Sequence, residues 1–66
     1  MNLRETDYYK NLTSYNACET VEWSEDATEE QQLIAWQWIA DKKIWTGLQG
    51  WYGRMVNHLQ SIGVIE

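Results

Sequence analysis

Leu48, Trp51, Tyr52, Met55, Val56, Leu59 and Ile62 recur at steps of three and four, the period of a helix with one buried face. At about 100° per residue they share an arc of about 140°. The opposite arc carries Gln49, Gly50, Gly53, Arg54, Asn57, Gln60 and Ser61, with His58 at the margin. The pattern predicts a helix over about 48–62. Gly63 stands where a left-handed cap is wanted, and Val64 can fold back on Leu59 in a Schellman ending.

The preceding segment predicts a second helix over about 28–45. Thr28 and Gln31 have capping-box spacing, and the acids around them suit the positive end of a helix dipole. Gly47 is the expected left-handed cap of this helix. Only two or three residues separate the two helices, which favours an antiparallel hairpin. Leu33, Trp36, Ile39, Ala40 and Ile44 form the stripe that should meet the later helix. A second stripe is left over: Ile34, Trp38, Asp41 and Trp45. Two apolar faces on one helix require two partners.

Residues 2–23 are one candidate cover. Leu3, Tyr8, Leu12 and Tyr15 approach helical spacing, which predicts a short helix near 4–13. Thr20 to Trp23 alternate polar and apolar, which predicts an irregular, partly extended run. Tyr8, Leu12, Tyr15, Val21 and Trp23 could then close over the second stripe. The other reading leaves Trp38 and Trp45 partly exposed for a partner. The fold expected is therefore a mainly α, single small domain spanning 1–66: a helical hairpin (28–66) packed by an acidic N-terminal segment (1–27).

Size sharpens the need for that cover. A chain of 66 residues buries only about 60% of its unfolded surface. Its one cysteine, Cys18, excludes an intrachain disulfide, and its one histidine, His58, lies far from it. No metal set and no cofactor motif is legible. Five tryptophans and four tyrosines supply the burial instead, and a homodimer is a further route to stability. Eight of the ten acids fall within residues 1–30. Glu22, Glu25, Asp26, Glu29 and Glu30 make an acidic patch that argues against direct nucleic-acid binding. There is no leader-like segment and no apolar run able to span a membrane. No nucleophile–base pair, calcium loop or phosphate loop is present, so the expectation is a non-enzyme.

The stretch from Glu29 to Arg54, "EEQQLIAWQWIADKKIWTGLQGWYGR", continuing through "LQSIGVI", resembles small phage-encoded proteins of unassigned function. The shared features are an EEQ-type helix start, an A-W-Q-[WY] core and an L-Q-G-W-[YF]-G-R segment. "DKKIWTG" departs from them, standing where a shorter glycine-bearing turn is expected. The resemblance implies a phage source and a role in the host bacterial cytoplasm, and implies no activity. The leading expectation is an accessory protein that binds a host or phage protein. Ile34, Trp38, Trp45, Gly50, Gly53 and Arg54 are its candidate contact residues. The alternatives are an acidic inhibitor that mimics nucleic acid on a basic target, or a small structural oligomer.

Overall fold

A computed structural model describes residues 3–22, 26–43 and 50–66. The protein is mainly helical, with no strand among the described residues. One 3-10 turn (Leu3–Glu5) leads into α1 (Asp7–Lys10), α2 (Ser14–Glu22), α3 (Glu29–Lys42) and α4 (Gly50–Ser61).

The N-terminal third differs from its expected form. Two threonines divide it. Thr6 Oγ1 accepts from the Tyr9 amide at 3.2 Å and starts α1, and Thr13 Oγ1 accepts from the Asn16 amide at 3.2 Å and starts α2. A threonine at the N-cap holds its own backbone extended while satisfying a free amide of the first turn. The expected single helix over 4–13 is thus broken. Residues 20–22 are not extended either: they form the last turn of α2. Thr20 donates to the Asn16 carbonyl at 2.8 Å, a contact one helical turn back. Its side chain and Ala17 are buried, so the helical face decides the segment and the short alternation was misleading. Trp23 lies outside the described residues.

α3 begins where the capping box places it. Thr28 and Gln31 exchange backbone and side-chain bonds, both at 3.1 Å. The end of α3 is earlier than expected. Lys43 takes the left-handed conformation that was expected four residues later, with φ 56°. Its amide bonds back to Ala40 at 3.3 Å, a tight last turn. Ile44, Trp45 and Gly47 lie outside the described residues.

α4 closes as a Schellman motif. The Val64 amide reaches the Leu59 carbonyl and the Gly63 amide reaches that of Gln60, both at 3.2 Å, with Gly63 at φ 81°. That turn reverses the chain and brings Ile65 into the core at 3% exposure.

The core gathers Ala17 of α2, Ala35, Trp36, Ile39 and Ala40 of α3, Tyr52 and Val56 of α4, and Ile65. α3 is its centre, and α2 packs along it most extensively. Small residues on both sides let two helices approach closely, since interaxial distance follows the side chains at the contact. α4 joins through aromatic rings: Trp36 meets Trp51 edge-on at 5.9 Å and Tyr52 at 5.6 Å.

The inward face of α4 is turned from the expected one. Tyr52 and Val56 are buried, Trp51, Gly53 and Leu59 are half-buried, and Met55 and Ile62 are exposed. The centre of burial therefore lies about 50° round the helix, toward Val56. The cause is that α4 packs on more than α3. The Tyr52 hydroxyl crosses to Glu22 on α2, and Ile65 fills part of the space expected of Ile62.

Candidate functional site

The second stripe of α3 is the first place to look, and the described part of it is largely covered. Ile34 is buried at 3% exposure, so it is no free contact residue. Trp38 is half-buried against the core, with the Lys42 ammonium 6.0 Å from its ring centroid, the outer limit of a cation–π contact. Trp45 lies outside the described residues.

Asp41, the acid within that stripe, explains how the cover is held. Arg4 donates to both its carboxylate oxygens, each at 2.7 Å. Tyr9 donates at 2.6 Å and Gln37 at 3.0 Å. The fork of a guanidinium matches a carboxylate in two parallel bonds. Arg4, beside it, holds Asp41 below the usual carboxylate range, against the effect of its partial burial. Burial, then the bond to Asp41, pushes the Tyr9 phenol up to about 12. Adjacent Lys42 and Lys43 are not its partners in these bonds.

Gln37 carries the network to the C-terminal segment. It is 1% exposed. Its Oε1 accepts from the Glu66 amide at 2.7 Å, and its Nε2 donates to the Glu66 carbonyl at 3.3 Å. Gln60 donates to the same carbonyl at 3.2 Å, and Arg4 reaches the Glu66 carboxylate at 2.9 Å. A buried amide side chain has to satisfy its polar groups, and this one does so by pairing with a passing backbone. One polar cluster thus ties the first turn, α1, α3, α4 and the tail together. Its job in this arrangement is structural.

The glycine face of α4 is open at one position. Gly50 is exposed, and among the described residues an added Cβ would meet nothing nearer than Arg54 Nη1 at 3.9 Å. Gly50→Ala is therefore expected to stabilise the fold by up to about 1 kcal/mol, seen as a higher urea midpoint with an unchanged slope. A lower midpoint would mean that the face is occupied. Gly53, on the same polar arc, is half-buried. Arg54 is exposed.

Two surfaces that sequence patterning did not single out emerge instead. Met55 (37% exposed), Ile62 (56%) and Val64 (40%) form an outward apolar strip on α4 and the turn after it. Met55 and Ile62 are seven apart, two turns along one face. The signal was present in the heptad spacing, but their assignment to the core hid it. Tyr15 on α2 is 75% exposed, although its spacing suggested a covering role. Of the acidic patch, Glu22, Asp26, Glu29 and Glu30 are all exposed, and Glu25 lies outside the described residues. Among the described residues no group of His, Cys, Asp or Glu could hold a metal ion. No described helix is long and apolar enough to cross a membrane.

Searches against protein-family models, curated proteins and solved structures find no match to this chain.

Proposed function

We propose that this is a non-enzymatic phage accessory protein that binds a host or phage protein in the bacterial cytoplasm. The outer strip of α4 would be its contact surface. The observation that carries the reading is the exposure of Met55, Ile62 and Val64 in a chain that has a formed core elsewhere. Exposed apolar side chains grouped on one face, rimmed by polar ones, mark interaction sites. The rim here is Arg54, Asn57, His58, Gln60 and Ser61, and α4 carries no acid. Each copy of the chain has a net charge of −5. Like charge opposes self-association, which favours a different protein over a second copy.

The test is capture by a tagged chain from infected and uninfected cells, compared with Met55→Glu/Ile62→Glu. Both positions are exposed, so the variant is expected to keep its circular dichroism spectrum. The wild type and an Asn57→Glu control should retain one protein, and the double variant should lose at least about tenfold of it. Equal retention by all three, or by none, contradicts the reading.

A second reading, the acidic mimic of nucleic acid, draws on the exposure of Glu22, Asp26, Glu29 and Glu30. It requires binding to a basic target that weakens steeply with salt. Salt-independent binding excludes it.

A further inference from the structure

We propose that the outward face of α2 docks an arginine side chain of a protein partner, with the guanidinium between Glu19 and Glu22 and the stem across the Tyr15 ring. This site is separate from the α4 strip, and either can fail without the other.

Tyr15, Cys18, Glu19 and Glu22 follow helical steps of three, one and three, so they share one face of α2. They line a depression of about 220 Å³. A second depression of about 280 Å³ lies beside it, lined by Tyr8, Asn11, Asn16 and Thr20 among others. Glu19 lines both. These volumes fall below the roughly 300–1,000 Å³ of small-molecule sites and suit single side chains.

Three features choose the occupant. Tyr15 is 75% exposed, more than any other large apolar residue described, so its ring is available for stacking. Glu22 is held in place, because the Tyr52 hydroxyl donates to its Oε2. Tyr52 is itself fixed, 2% exposed and with its ring tilted against that of Trp51 at 4.3 Å. Among the described residues no cation pairs with Glu19 or Glu22. Two carboxylates one helical turn apart repel, and a cation between them relieves that repulsion. A guanidinium meets all three features together. It presents a planar fork to carboxylates, stacks on aromatic faces and sheds water more readily than an ammonium. Phosphate-bearing ligands are repelled by the same pair of acids.

The experiment is an amide-resolved NMR titration of the full chain with a blocked tri-arginine peptide at low salt. Shifts should centre on residues 15–22. Glu19→Gln should weaken binding about tenfold, by loss of a charged hydrogen-bond partner, and Tyr15→Ala about threefold. Glu30→Gln removes the same charge from the start of α3 and should change affinity less than about twofold. Tri-lysine and spermidine should bind several-fold more weakly than tri-arginine. The variants sit at exposed positions, and unchanged spectra away from α2 will verify their fold. The proposal is overturned by shifts spread equally over Asp26, Glu29 and Glu30, or by Glu30→Gln matching Glu19→Gln. It is overturned equally by tri-lysine or spermidine matching tri-arginine, or by no response at millimolar peptide.

Discussion

Tyr52→Ala is expected to abolish the folded state at 37 °C. Tyr52 is 2% exposed and sits where three helices meet. Its ring lies 5.6 Å from Trp36 and 4.3 Å from Trp51, and its hydroxyl bonds to Glu22 on α2. Truncating a buried aromatic to alanine costs about 3–5 kcal/mol. A domain of this size holds roughly 3–10 kcal/mol in total. The substitution consumes most or all of that. Circular dichroism should show loss of helix, and tryptophan emission should shift to the red. Tyr52→Phe separates the two contributions. It keeps the ring and loses one hydrogen bond, at a cost of about 1 kcal/mol, and Glu22, being exposed, turns to water. A Tyr52→Ala variant with a native-like melting curve would mean that the aromatic cluster is not the core.

Asp41→Ala is expected to cost about 2–3 kcal/mol. It strands the donors of Tyr9 and Gln37, which are partly or fully withdrawn from water, and it takes from Arg4 two of its charged bonds. Hydrogen bonds to charged groups are worth about 1.5–3 kcal/mol each, and an unmet buried donor costs on a similar scale. The pH dependence gives an independent reading. The bonds from Arg4 hold the Asp41 carboxyl below the usual carboxylate range in the folded chain. A depressed carboxyl contributes stability that is fully present above the unfolded pKa and is lost as pH falls through the folded one. The wild type should therefore lose stability as pH drops from about 5 downward, and Asp41→Asn should lack that component of the slope. Equal acid slopes in the two proteins would mean that Asp41 stands free of Arg4.

Much of this fold could be read from spacing. Thr28 with Gln31 placed the start of α3, and Gly63 placed the end of α4, because both motifs are local and their partners sit within a turn. The leftover stripe on α3 was legible for the same reason. Its cover was not, because contacts such as Arg4 with Asp41 span 37 residues and no local period encodes them. An acid inside an apolar stripe was the available signal, since a half-buried carboxylate needs a cation, and Arg4 is a base of the segment expected to lie over it. The left-handed Lys43 escaped notice because glycine is the usual occupant of that conformation. Met55 and Ile62 were assigned inward because a helical projection assumes one neighbour. α4 has several, and a turn of about 50° is enough to move two side chains from core to surface. The candidate site moved with them. Ile34 left it by burial, while Tyr15 and the α4 strip came forward by their exposure.

Residues 3–22 are part of the core and cover the described part of the second face of α3. Unfolding of a chain lacking residues 1–22 tests this most directly. Without Ala17, Tyr9 and Arg4, the remaining helices should show weak helicity, no sigmoidal urea transition and red-shifted tryptophan emission. A cooperative transition near that of the full chain would contradict the claim, and would return Trp38 and its neighbours to the surface as the place where a partner binds.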